Sequence, residues 1–178
     1  MDQSDRIQHN CKFIRMNRAL TVLIVGGLLS SCGLFQKTPA PPEPAPIPLS
    51  EIPYSVSIAL DANADINTDG NGRPSPVRVR VFLVEPEVEL KNKTFNEIFD
   101  YDGGEIDPGP KANFAIKPGE QKTISVTGNK SESKLVLAAG FREPYKTIWI
   151  TEKTIDVHTE TSVNAAVTRS AVEFGNIQ

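Results

Sequence analysis

Two runs of strict alternation restrict this chain more than any other feature. Tyr54, Val56, Ile58 and Leu60 face one way while Ser55, Ser57 and Ala59 face the other. Val77-Arg78-Val79-Arg80-Val81-Phe82-Leu83-Val84 repeats the pattern with β-branched residues at alternate positions. A period of two puts successive side chains on opposite faces of an extended backbone, so each run reads as a half-buried strand. On that reading Arg78 and Arg80 occupy a solvated outer face. Further strands are expected at 112–116, 122–127, 135–141, 147–154 and 162–172. Many short strands divided by turn signals predict an all-β, two-sheet antiparallel β-sandwich.

Lys117-Pro118-Gly119-Glu120 sets Pro and Gly at the two central positions of a turn. That suits type II, and predicts a hairpin joining the strands on either side. One segment departs from alternation. Thr94-x-x-Glu97 has the spacing of a capping box, and Phe95, Ile98 and Phe99 then share one face of a short helix that packs on a sheet. The stretch 100–110, rich in Gly, Asp and Pro, reads as an exposed loop.

The N-terminal third cannot join this fold. Arg6, Lys12, Arg15 and Arg18 precede an uncharged apolar run, residues 19–30, that closes on Leu29-Ser30-Ser31-Cys32. Basic residues followed by a short apolar run are the layout of a secretory signal peptide. The run is too short for a spanning helix, which takes about 20 residues. The junction resembles the bacterial lipobox, which implies cleavage after residue 31 and acylation of Cys32. Two or more acyl chains make a lasting anchor where one holds only marginally. Gly33 stands where an Asp would resemble an inner-membrane retention signal, so the expected location is the periplasmic face of the outer membrane.

Residues 36–53, QKTPAPPEPAPIPLSEIP, hold seven of the fourteen prolines. A chain that lacks so many amide donors supports neither a ladder nor a helix interior. It reads as a polyproline tether, rising about 3.1 Å per residue. The expected organisation is a signal peptide at 1–31, a lipidated N-terminus and tether at 32–53, and one β-domain at 54–178.

Loss of the signal peptide leaves 15 Lys plus Arg against 20 Asp plus Glu. A mildly acidic chain has no basic face for nucleic acid and no Lys/Arg cluster for anionic lipid. Cys11 departs with the signal peptide and Cys32 is consumed by acylation, so no disulfide is expected. His158 is the one histidine after residue 31, in a stretch that reads as strand edge or turn. With no nucleophile motif and no metal-type cluster, the chain is not expected to be an enzyme, and no cofactor is implied.

Asp65-Ile66-Asn67-Thr68-Asp69-Gly70 matches the first half of an EF-hand loop, where alternate oxygen ligands precede a turn glycine. The second half fails. Counting Asp65 as the first position, the twelfth is Pro76 instead of Glu and the ninth is Arg73. Asx and Gly residues making their own turns explain the same sequence without a metal.

That loop also carries a family resemblance. Residues 54–60, the stretch Asn67 to Pro76, and the strand at 77–84 look like the lipoprotein of bacterial type VI secretion systems, the TssJ family. The likeness continues through Phe95 to Phe99, Lys117-Pro118-Gly119-Glu120, residues 135–142 and Trp149. It implies a transthyretin-like sandwich with a small helical addition, held in the outer membrane by acyl chains on Cys32. It also implies a partner: the periplasmic C-terminal domain of the inner-membrane component TssM, which assembles with TssL. The family's protruding loop between its first two strands maps to residues 61–76, with Asp65, Asn67, Asp69, Asn71, Arg73 and Pro74 as partner-binding residues. Prolines and turn formers restrict such a loop, so less ordering entropy is lost on docking.

A different class of function remains open: a sandwich that captures a glycan, a peptidoglycan fragment or Ca2+. Tyr145 and Trp149 are the aromatics that could stack on a sugar, although the alternating run Ile148-Trp149-Ile150 favours the core for Trp149. Cys32→Ser tests the anchor. The variant is expected to accumulate as an unacylated precursor absent from outer-membrane fractions, and its recovery there would count against lipidation.

Overall fold

The computed structural model describes residues 43–99 and 105–175. The signal peptide, Cys32 and most of the tether lie outside the described residues, as do residues 100–104 of the acidic loop.

Among the described residues, eight strands form two four-stranded sheets. The strands are β1 (Pro53–Ala62), β2 (Val77–Val84), β3 (Ala112–Ile116), β4 (Gln121–Asn129), β5 (Lys134–Ala139), β6 (Ile150–Thr154), β7 (Ser162–Val167) and β8 (Val172–Phe174). One sheet runs β4-β1-β7-β8 and the other β3-β2-β5-β6. Val56, Ile58, Leu60 and Ala62 of β1 meet Val77, Val79, Val81 and Leu83 of β2 in a core between the sheets. Each large side chain so buried contributes roughly 1.5–3 kcal/mol. Alternation assigned both inner faces correctly.

It did not assign strand direction. β1 pairs antiparallel with β4 but parallel with β7, Ser57 opposite Ser162 through Ala62 opposite Val167, so the first sheet is mixed and not wholly antiparallel. A parallel pair needs a long crossover, here everything between β1 and β7. The Lys117–Glu120 turn has the expected geometry, with Gly119 at φ +73° and the Glu120 amide bonded to the Lys117 carbonyl at 3.1 Å. It makes no hairpin, because β3 pairs with β2 while β4 pairs with β1. The turn carries the chain from one sheet to the other. The run expected as one strand at 162–172 is two, folded back at Thr168, whose backbone amide donates to the Ala171 carbonyl at 2.8 Å.

The second sheet is covered on its outer face as well. Phe82, Val84, Val136 and Ala138 point away from the first sheet into a smaller cluster with Leu90, Ile98 and Phe99. Ile98 and Phe99 belong to the helix α1 (Phe95–Phe99). Its capping box is formed: the Glu97 amide donates to Thr94 Oγ1 at 3.2 Å, and the Thr94 amide to Glu97 Oε2 at 2.7 Å.

This cover corrects the reading of Arg80. Only 3% exposed, it lies under α1, where Nη1 donates to the Ile98 carbonyl at 2.6 Å and the guanidinium sits 5.8 Å from the Phe99 ring centre. Alternation placed it on the outer face, as found; that face is roofed by a helix whose C-terminal carbonyl needs a donor. Arg78 stays half-exposed and bonds Asn113 at 3.0 Å. Arg80→Ala is therefore expected to cost about 2–3 kcal/mol in denaturant unfolding, the worth of a buried charge-assisted hydrogen bond. A loss within about 0.5 kcal/mol, as for a solvated strand position, would contradict the buried role.

Candidate functional site

Four connections meet at one end of the sandwich: the β1–β2 loop (63–76), the Lys117–Glu120 turn, the β5–β6 segment (140–149) and the β7–β8 turn (168–171). Backbone bonds stitch them together. The Asn63 amide donates to the Val167 carbonyl at 2.9 Å, Gly119 to Asn63 at 3.2 Å, and Ile148 to Ser170 at 2.8 Å. The tether enters at the other end of β1, where the Lys130 amide donates to the Ile52 carbonyl at 2.9 Å and the Tyr54 hydroxyl to the Glu132 carbonyl at 2.5 Å. At about 3.3 Å per residue, the ten residues of β1 put roughly 30 Å between the two ends.

The β1–β2 loop is built around two buried residues. Ile66 is fully buried in the main core, and Asn67, 7% exposed, follows it at φ +49°. Asn tolerates that left-handed conformation better than most residues, and both ends of its side chain are bonded: Nδ2 donates to the Pro76 carbonyl at 3.0 Å and Oδ1 accepts the Arg142 amide at 2.9 Å. Its carbonyl accepts the Ser75 hydroxyl at 2.7 Å. The loop's base is thereby closed and tied to the β5–β6 segment.

The tip is held by Asp69. Its Oδ1 accepts the amides of Asn71 and Arg73, both at 2.9 Å, and Oδ2 accepts Arg73 Nε at 2.8 Å and Nη2 at 2.7 Å. Gly72, at φ +76°, completes the turn. The amide of Arg73, then its guanidinium, holds the Asp69 carboxyl below the ordinary carboxylate value. The half EF-hand is thus a self-capped turn. Asn67 and Asp69 spend their oxygens on amides and on Arg73, and no group of three His, Cys, Asp or Glu suited to a metal occurs among the described residues.

The six residues expected to contact a partner therefore divide. Asn67 is interior, and Asp69 serves its neighbours. Asp65, Asn71, Arg73 and Pro74 are exposed. Arg142, Lys146 and Arg169, which sequence reasoning passed over, line a hollow beside the loop. No local pattern marks them, since the fold brings them from two separate connections.

The family model for type VI secretion lipoproteins (VasD, EvfM, TssJ) matches residues 54–170. The chain belongs to that family. It is thus a membrane-anchored lipoprotein of type VI secretion, and no helix among the described residues is long and apolar enough to cross a membrane. The solved structures share its fold. TssJ1 of Pseudomonas aeruginosa, a type VI lipoprotein, is 17% identical with a TM-score of 0.62 over 71% of this chain and 98% of that one. Lip of Serratia marcescens, a membrane-bound component of the type VI system, is 14% identical with a TM-score of 0.60 over 71% and 99%. A chain in a structure of the TssM C-terminal domain (869–1107) from EAEC is 19% identical with a TM-score of 0.56 over 69% and 98%. No curated protein matches the chain.

His158 sits in an exposed turn capped by Asp156, as its sequence suggested. Tyr145 is 99% exposed and lines, with Phe95 and Trp149, a cleft of about 420 Å3. Trp149 is half-buried, edge-on to Phe95 with ring centres 5.2 Å apart.

A carboxyl depressed by folding stabilises above its unfolded value and loses that contribution as pH falls through its folded value. In an NMR titration Asp69 is expected to show a midpoint below the ordinary 3.8, with the Asn71 and Arg73 amide shifts following it. An ordinary midpoint with unmoved amides would contradict the capped turn.

Proposed function

We propose that this lipoprotein is anchored in the outer membrane through acyl chains on Cys32 and docks the periplasmic C-terminal domain of the inner-membrane component TssM. The β1–β2 loop makes the contact, and the assembly includes TssL. The supporting observation is that this loop is ordered before any partner arrives. Ile66 and Asn67 fix its base and Asp69 its tip, while Asp65, Asn71, Arg73 and Pro74 stay exposed. A preordered surface loses less conformational entropy on binding. Residues 44–52 lead into β1 at its far end from this surface.

Membership of a secretion-lipoprotein family, and the match to a chain in a structure of the TssM domain, favour this reading over an enzymatic one. Its chemistry is recognition, with no catalytic residue and no cofactor.

A glycan-binding reading has one observation in its favour, the Phe95–Tyr145–Trp149 cleft. The docking account expects no heat when cell-wall glycans or Ca2+ are titrated into the protein.

The loop assignment is best tested at its tip, since removing residues 62–72 would take Ile66 and Asn67 out of the fold. Asn71→Cys introduces a free thiol at the loop tip, Cys32 being blocked by acylation in the proposed mature protein. The unlabelled variant is expected to bind the TssM domain normally, and coupling a bulky maleimide to it to weaken binding at least about tenfold. Equal binding before and after labelling would reject the loop as the contact.

A further inference from the structure

The charged side chains lining the hollow beside the loop are mainly basic, against the net charge of the chain. The chain after the signal peptide is acidic, 20 Asp plus Glu against 15 Lys plus Arg. Yet Arg142, Lys146 and Arg169 converge on one open hollow of about 210 Å3, floored by Asn67 and Phe141. Glu143 is the single acid among its lining residues, and it is already committed, accepting Lys146 Nζ at 3.2 Å on both oxygens. Neither Arg142 nor Arg169 makes a contact ion pair among the described residues, and the charge of Arg142 reaches Asp69 only as a weaker, longer-range influence. Both side chains are exposed.

Two guanidinium groups from separate connections line one hollow, and neither is held in a contact ion pair among the described residues. An arriving carboxylate fits the planar fork of such an Arg in two-point fashion and supplies the pairing it lacks. The position of the hollow is fixed by the same bond that closes the loop, since the Arg142 amide donates to Asn67 Oδ1.

We infer that this hollow receives acidic side chains of the docked partner, so that the loop and the Arg142–Lys146–Arg169 patch form one continuous docking surface for a segment rich in Asp or Glu. The inference rests on the proposed docking function and specifies the chemistry of its partner. Complementary charge of this kind sets register and speeds encounter, and its contribution falls as salt rises.

The test uses the acylated protein in detergent and the periplasmic C-terminal domain of TssM, with affinity measured at low and high salt. Arg142→Glu combined with Arg169→Glu removes no side-chain hydrogen bond among the described residues, since Arg142 holds Asn67 through its backbone amide. The double variant is expected to keep its thermal transition, to bind roughly 30-fold more weakly or worse at low salt, and to lose most of the salt dependence. Lys130→Glu, at the tether end, is expected to leave binding unchanged. If the folded double variant binds within about threefold of the parent while the labelled Asn71→Cys protein does not bind, the inference is overturned and the loop assignment stands. Equal weakening by Lys130→Glu would reduce the effect to net charge and overturn it too. If the unaltered protein does not bind the TssM domain at all, the docking function fails and this inference fails with it.

Discussion

A single buried amide organises the end of the molecule proposed to dock the partner. Asn67 closes its own loop through the Pro76 carbonyl and reaches across to the β5–β6 segment through the Arg142 amide. With Ile66 sunk in the core directly before it, the position cannot shift without opening the sandwich. Unsatisfied, either half of that side chain would cost about 1–3 kcal/mol, so the bonded arrangement is strongly preferred. From it follow the exposed tip, the self-capping of Asp69 and the placement of Arg142 at the rim of the neighbouring hollow.

The rest of the sandwich can be understood as support for that end. β1 lies between β4 and β7 in its sheet, with the tether at its start and the loop at its finish. One sheet presents a polar outer face, carrying Ser55, Ser57 and Thr127. The other is roofed by α1, and this explains a charged residue as deep as Arg80. Burial of a guanidinium is tolerated because a helix-end carbonyl and an aromatic face meet it.

Much of this was legible in the sequence. Alternation with period two found the inner faces of β1 and β2, and Thr94-x-x-Glu97 found the capping box atom for atom. Turn chemistry found the positive φ at Gly119. What stayed hidden depends on tertiary partners. Period two is blind to strand direction, so the parallel β1–β7 pair was missed, and a Pro-Gly turn looks the same whether it joins neighbours or crosses between sheets. The fold-back at Thr168 carries neither Gly nor Pro; the Thr168 hydroxyl accepting the Ala171 amide at 3.0 Å does that work. Within the loop, composition could name Asn67 and Asp69 but not tell a contact residue from an internal clamp. That distinction rests on where each side chain spends its hydrogen bonds.

The central claim is that a prebuilt loop end, at the finish of β1 and away from Ile52, is the surface the secretion apparatus engages. Hydrogen-exchange mass spectrometry of the acylated protein with and without the TssM periplasmic domain tests it most directly. The account predicts new protection confined to residues 63–76, 140–149 and 168–171, with no change near Ile52 and Lys130 at the tether end. Protection centred on the tether end or on the exposed face of β4, with the loop unaltered, would contradict it.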